Sequence, residues 1–316
     1  MRLLDSGVSF IIPALNEEDN IEEAILSIKS IATLSPYEII VVDNGSKDST
    51  VEICEKNGAL VITAPNVTIS TLRNIGAARA KHKILVFLDA DAILDSGWFH
   101  ELKKNLEKFD SHDLFITGSR CRSFDCTSFF NKYWFCRLSE EKQEQSNYIN
   151  SGHLITSKTL FEKINGFNEN LSTSEDVDFC DRAKKIGAKM SPNNELIVYH
   201  KGYPTTPIQF IKREAWHGKQ DFKSFSDIQK SKVAIIAMAN LFIFTTSIAI
   251  AIFSKSFYPI IGYFLIVSIM SISITVFKFG TKPKSFIAPT SMVSLLYLTG
   301  RTISPLKKFN RHRSYN

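Results

Sequence analysis

The chain has 316 residues, 44% of them hydrophobic, and a formal net charge of +6, which is enough for one large domain or two small ones. That charge is unevenly spread: from Ser226 onward one acid, Asp227, stands against eleven lysines and arginines, so the first 225 residues are net acidic. A basic excess confined to apolar segments argues against nucleic acid as a partner and points to membrane charge bias.

Val8 to Ile12 predicts a first buried strand, ended by Pro13. Asn16 is placed to cap a helix, with Glu17, Glu18 and Asp19 in its first turn and Ile21, Ala24, Ile25 and Ile28 at helical spacing toward a sheet. Glu38 to Asp43 is a second strand ending in an acid. A helix follows near Ser49 to Lys56, then a strand from Ala59 to Thr63 and a helix from about Thr71 to Lys81. Ile84-Leu85-Val86-Phe87-Leu88 is five apolar residues in a row, as expected for a strand buried on both faces, and Asp89-Ala90-Asp91 follows it directly. Strand and helix in this alternation predict a doubly wound, mostly parallel sheet. Ligands of such sheets bind outside the carboxyl ends of the strands, where Asp43, Asp89 and Asp91 fall. Turn chemistry alone would also account for an aspartate at any one of these places.

A helix from Gly97 to Phe109 and a strand from Leu114 to Thr117 come next. Residues 120–150 are less regular, with Phe129, Phe130, Tyr133, Trp134 and Phe135 gathered between Arg122 and Arg137. Such a group is either core or an acceptor- or membrane-facing segment. Glu175-Asp176 opens a helix with Val177, Phe179 and Ala183 inward, ending near Gly187. His200 follows a short apolar strand.

Val233–Phe253 and Phe257–Phe277 are uncharged runs of 21 residues each, and each can cross a hydrocarbon core of about 30 Å as a helix. The short link Ser254-Lys255-Ser256 makes them a hairpin. Lys230 and Lys232 before it and Lys278, Lys282 and Lys284 after it put both flanks on the cytoplasmic side. Residues 286–298 are short for a span and contain Pro289, which suggests an interfacial or re-entrant segment followed by a basic tail against anionic headgroups. The domain division expected is therefore 1–225 and an anchor of 226–316, in a multi-pass protein of the cytoplasmic membrane with its N-terminal domain in the cytoplasm. Five cysteines, Cys54, Cys121, Cys126, Cys136 and Cys180, are odd in number and lack paired zinc spacing, which fits reduced thiols. Val8 to Leu15 is too short, and too soon followed by acids, for a signal peptide.

The segments Ile11-Ile12-Pro13-Ala14-Leu15-Asn16-Glu17, Val42-Asp43-Asn44-Gly45-Ser46-Lys47-Asp48-Ser49-Thr50, Arg73-Asn74-Ile75-Gly76-Ala77-Ala78-Arg79 and Asp89-Ala90-Asp91 together resemble the family 2 glycosyltransferases, over roughly residues 7–215. The resemblance implies a GT-A fold, that is, a Rossmann-like, mixed and mostly parallel α/β sheet with flanking helices. It implies a nucleotide-sugar site at Pro13, Leu15, Glu17, Asp43, Arg73, Asp89 and Arg213. Asp91 would ligate Mg2+ or Mn2+ on the diphosphate, with His200 as a further ligand. Glu175-Asp176 resembles the acceptor-side acidic motif of inverting members, with Asp176 as the base and Glu175 second. Gln209, Arg213 and Trp216 are similar to the Gln-x-x-Arg-Trp signature of polymerising members, but the spacing is off by one, so processive synthesis is not implied.

The expected reaction is transfer of a sugar from a nucleotide sugar, UDP-linked by family frequency, to a hydroxyl of a lipid-linked or saccharide acceptor, beside membrane lipids. A hydroxyl acceptor needs a base, and a leaving nucleoside diphosphate needs charge neutralisation. A polyprenyl-phosphate glycosyltransferase is the closest alternative, and its anionic acceptor would need no base. A non-catalytic nucleotide-sugar-binding membrane scaffold is the alternative of another class.

Overall fold

The computed structural model describes residues 7–31, 35–107, 109, 113–140, 148–171 and 173–306. The basic tail expected after Arg301 lies mostly outside them. In chain order the elements are β1 (Val8–Ala14), α1 (Ile21–Ile31), β2 (Tyr37–Asp43), α2 (Thr50–Lys56), β3 (Leu60–Thr63), α3 (Ile69–Arg79), β4 (Ile84–Leu88), β5 (Ala92–Leu94), α4 (Trp98–Glu107), β6 (Phe115–Gly118) and β7 (Arg122–Ser123). A π-helical turn, Asn131–Phe135, runs into α5 (Cys136–Glu140). There follow β8 (His153–Ser157), α6 (Lys158–Lys163), α7 (Glu175–Lys185), β9 (Lys189–Pro192), β10 (Val198–His200), α8 (Pro207–His217), α9 (Phe225–Lys230), α10 (Lys232–Ser254), α11 (Tyr258–Phe279) and α12 (Ile287–Ile303).

Seven strands form one sheet in the order β3-β2-β1-β4-β8-β6-β9, and β5-β10-β7 form a smaller one. The first four strands are parallel, whereas β8 runs antiparallel to both β4 and β6, giving the mixed sheet of the GT-A plan. All five residues of β4 are buried, because helices cover both faces of the sheet. Pro13 does not end β1. Its neighbour β4 pairs only from Val8 to Ile11, so the proline falls beyond that ladder and costs no bond to it.

Asn16 is not a helix cap. It takes a left-handed backbone (φ 55°), and α1 starts only at Ile21. The residue instead ties two loops together: its amide donates to Ser46 Oγ (2.8 Å) and its Oδ1 accepts from the Lys47 amide (2.9 Å). In α7 the buried apolar positions are Phe179, Cys180 and Ala183, while Val177, expected inward, is exposed. Cys126 and Cys136 are joined by a disulfide, their Cα atoms 6.1 Å apart, where free thiols were expected. The chain doubles back between β7 and α5, which brings together two cysteines whose spacing matches no motif.

Of the aromatic group after residue 120, Phe130, Trp134 and Phe135 are core, whereas Phe129 is exposed. Phe130, Trp134 and Phe135 pack with Phe210, Val293 and Tyr297, each such side chain contributing roughly 1.5–3 kcal/mol on burial. This seam joins the sheet domain to α12. The latter is a 17-residue helix lying on α8, so close that a Cβ on Gly300 would stand 2.9 Å from the Ile211 carbonyl oxygen. It buries Thr290, Val293, Ser294, Tyr297 and Leu298 within the protein. By length and composition α10 and α11 could each cross a membrane, and few of their residues are buried.

Candidate active site

The carboxyl ends of β1, β2 and β4 open into a cleft of about 600 Å³. Its near wall is built by the β1–α1 and β2–α2 loops, stitched to each other by reciprocal bonds. The Glu17 amide donates to Thr50 Oγ1 (2.8 Å), and the Ser49 amide donates to Glu18 Oε2 (3.0 Å). Pro13, Leu15 and Glu17 line the cleft as expected.

Asp43 does not line it. The carboxylate is buried and spent on its own turn, accepting from the Gly45 amide (2.9 Å), the Ser46 amide (3.1 Å) and Ser46 Oγ. The neighbouring Asn44 lines the cleft in its place and pins the loop before α3 through both Val67 backbone groups (3.0 and 3.3 Å).

The floor is the pair that ends β4. One ligand atom each from Asp89, Asp91 and His200 lie within 4.8 Å of one another. β10 delivers His200 antiparallel to β5, opposite Ala92, so the histidine arrives beside Asp91 (Nε2 to Oδ1, 3.3 Å). The Gly202 amide donates to Asp91 Oδ2 (2.9 Å). Burial raises the Asp91 pKa above the ordinary carboxylate range, with Asp89 adding to the rise and His200 opposing it. Two carboxylates and an imidazole make a donor set suited to a divalent cation such as Mn2+. His200 Nδ1 is buried without a hydrogen-bond partner.

Arg73, on α3 and almost fully buried, bridges this floor to the opposite wall, donating to Asp89 Oδ1 (3.0 Å) and to Glu175 Oε1 (2.8 Å). Ser151 Oγ also donates to Glu175 (2.9 Å). Glu175 Oε1 thus accepts from both Arg73 and Ser151. Asp176 beside it accepts the Val177 amide (2.8 Å), and burial, reinforced by Glu175, pushes its pKa up to about 7. A carboxylate poised there in a cleft is suited to take a proton.

The far wall comes from α8 and α12. Arg213 donates to Glu214 (2.7 Å) and lies over the rings of Phe135 and Tyr203. Arg301 reaches the same Glu214 (3.1 Å). Burial would raise the Glu214 pKa, but Arg301 and Arg213 outweigh it and hold the group ionised well below the ordinary range. His217 is kept neutral by burial. The structure therefore brings together every site residue expected from the sequence except Asp43. Asn44, Tyr203, Lys278, Tyr297 and Arg301 were not foreseen. Only Asn44, inside a motif, left a signal in the sequence.

Residues 9–164 match the model of Glycosyl transferase family 2. Among curated proteins the chain is 24% identical over 225 residues to glycosyltransferase AglE of Haloferax volcanii, covering 67% of this chain and 72% of AglE. It is 30% identical over 215 residues to the uncharacterized glycosyltransferase EpsJ of Bacillus subtilis, covering 63% and 62%. The match to an uncharacterized glycosyltransferase of Mycobacterium tuberculosis covers 36% of this chain and 49% of that one, at 29% identity. The chain thus spans between about half and three quarters of these relatives. In solved structures its fold is similar to that of the mannosyltransferase PcManGT from Pyrobaculum calidifontis, in complex with GDP-Man and Mn2+, with a TM-score of 0.57, 16% identity, and 94% and 86% of the two chains covered. Family model, relatives and sheet order agree, and the chain belongs to the family 2 glycosyltransferases and carries the GT-A fold.

Proposed function

We propose that the protein transfers a sugar, with inversion, from a nucleotide sugar to a hydroxyl of a lipid-linked or saccharide acceptor at the cytoplasmic face of a membrane. The observation that carries this reading is the convergence of Asp89, Asp91 and His200 in one cleft with the raised-pKa Asp176. GDP-Man and Mn2+ are bound by the structurally similar PcManGT, which favours a nucleotide sugar and a divalent ion here too.

Pro13, Leu15, Glu17 and Asn44 would hold the nucleoside, with Asp43 acting through the turn it organises. Asp91 and His200, with Asp89, would hold Mg2+ or Mn2+, which when bound supplies Lewis-acid neutralisation of the leaving diphosphate. Arg213 adds a fixed positive charge for the same oxygens. Arg73 holds Asp89 on the donor side and Glu175 beside Asp176. Asp176 accepts the acceptor's hydroxyl proton as that oxygen bonds the anomeric carbon. The bond from that carbon to the diphosphate oxygen breaks, and its electron pair leaves with the nucleoside diphosphate. One displacement inverts the configuration.

The long apolar helices α10 and α11, almost unburied, support membrane anchoring, and the flanking lysines support a cytoplasmic catalytic domain. A donor panel read by thermal shift with Mn2+ tests the reading, since a ligand at 100 times its Kd stabilises by about 2.7 kcal/mol. Absence of any binder across uridine, guanosine and thymidine diphosphate sugars would reject it. A polyprenyl-phosphate acceptor would leave Asp176 dispensable, so activity unchanged in Asp176→Asn would favour that alternative.

A further inference from the structure

A ligating histidine ordinarily donates its second ring N–H to a carboxylate or a carbonyl, and that bond fixes the orientation of the ring. His200 has no such bond. Its Nε2 faces Asp91 at 3.3 Å, while the buried Nδ1 finds no hydrogen-bond partner among the described residues. β10 pairs with β5 on one side and β7 on the other, which holds the backbone of His200 but does not set its side-chain torsions. What meets the ring is a column of aromatic faces. Tyr203 stacks on His200 with centroids 4.5 Å apart and planes 23° from parallel, and Phe135 stacks on Tyr203 at 4.0 Å and 8°. The Arg213 guanidinium lies over both outer rings, 5.0 Å from the Phe135 centroid and 5.9 Å from that of Tyr203, and is itself anchored by Glu214 at 2.7 Å. Phe135 is packed in the seam with Trp134 and Phe210, and Cys136 directly after it is tied to Cys126. The far end of the column is therefore fixed in the core, and its near end is the imidazole.

We infer that Tyr203, backed by Phe135, is a positioning residue: its ring takes the place of the missing hydrogen bond and keeps His200 Nε2 turned toward Asp91 and Asp89. This rests on the metal role proposed above for those three residues and deepens it. A flat stack fixes the plane of the imidazole, and the bond from Nε2 to a cation lies in that plane. Leucine at 203 would still fill space but offers no flat face. The phenol oxygen is not the working part. It reaches the Cys121 carbonyl oxygen only at 3.4 Å, a long hydrogen bond, so phenylalanine at 203 would keep the stack.

The test uses the full chain in neutral detergent and Mn2+ alone as the probe, with free Mn2+ counted from its electron paramagnetic resonance signal. Tyr203→Leu is expected to raise the Mn2+ Kd by about tenfold, as loss of the support behind a ligand does, and Tyr203→Phe to leave it near the wild-type value. Phe135→Leu keeps Tyr203 but removes its backing, and should fall between the two. In a His200→Ala background Tyr203→Leu should weaken Mn2+ no further, because its effect passes through the imidazole. An unchanged Kd in Tyr203→Leu overturns the inference, as does a loss equally large with and without His200. Equal losses in Tyr203→Leu and Tyr203→Phe overturn it too, since the hydroxyl and not the ring face would then matter. Unfolding temperatures of the same samples control for folding, and if Tyr203→Leu does not fold, Phe135→Leu with and without His200→Ala carries the same comparison. Failure of Mn2+ to bind the unaltered protein, or binding indifferent to His200→Ala, overturns the metal role itself. Binding that needs His200 but neither ring behind it overturns this inference alone.

Discussion

Asp89 and Glu175 are held by opposite nitrogens of one guanidinium, at 3.0 and 2.8 Å from Arg73. The donor-side acid and the acceptor-side acid are therefore mechanically one unit. Arg73→Met leaves two carboxylates without their buried counter-charge and should destabilise the protein by about 3–5 kcal/mol, read as a fall in unfolding temperature. Arg73→Lys keeps the charge but cannot fork to both partners, so the fold should survive while donor affinity falls at least about tenfold.

Asp176→Asn should lower kcat by about 10²–10⁴, with KM for the donor little changed. The Asn oxygen can still accept the Val177 amide. With a pKa of about 7 in the native protein, the wild-type rate should rise tenfold per pH unit below that value and level above it. The folded value lies above the unfolded one, so the native state binds the extra proton between them and stability falls as pH rises through that window. Asp176→Asn should abolish this fall and melt higher than wild type at pH 8. Equal melting of the two proteins at pH 8 would contradict the raised pKa.

Two glycines near the metal ligands are there for space and not for backbone freedom. A Cβ on Gly152 would stand 2.5 Å from Asp89 Oδ2, and one on Gly202 would collide with Asp91 Oδ2. Gly152→Ala and Gly202→Ala should each cut Mn2+-supported activity by at least about tenfold, with the unfolding temperature close to wild type. Unchanged activity in both would remove these carboxylates from the metal site.

Chelation by EDTA should abolish transfer, and Mn2+ should restore it. His200→Ala should raise the Mn2+ concentration needed for half-activity by about 10–100-fold. Titration of restored activity measures this directly.

Ending the chain at residue 225, the boundary expected from composition, should not give a soluble enzyme. The cut removes Val293 and Tyr297 from the seam holding Phe130, Trp134, Phe135 and Phe210, and it removes Arg301 from buried Glu214. Aggregation of this fragment, against a well-behaved full chain in detergent, is the expected result. A monodisperse, active fragment would show that α12 is dispensable.

The sheet could be read from the sequence because β4 and its neighbours are apolar runs closed by acids, a local pattern. Arg73 stood in a motif, but its bridging of Asp89 and Glu175 depends on distant partners and left no trace. Asp43 is expected at the nucleotide from its place at a strand end, and a carboxylate there has the same sequence whether it faces the cleft or its own turn. That the Ser46 hydroxyl and the turn amides surround it here could not be read from the strand. The docking of α12 was hidden similarly: nothing local to Pro289 or the short apolar stretch indicates that Gly300 allows α8 to come within contact. The Cys126–Cys136 pair follows from a reversal of the chain that sequence spacing does not encode.

The placement of α12 also sets an order of events during synthesis. Every acid of the cleft has left the ribosome long before Arg301 and Tyr297, which are translated after both long apolar helices. A nascent chain can thus carry its donor-end carboxylates in place and still lack the wall that closes the cleft. Completion of the cleft therefore waits for α12, the last of the described long helices to be translated.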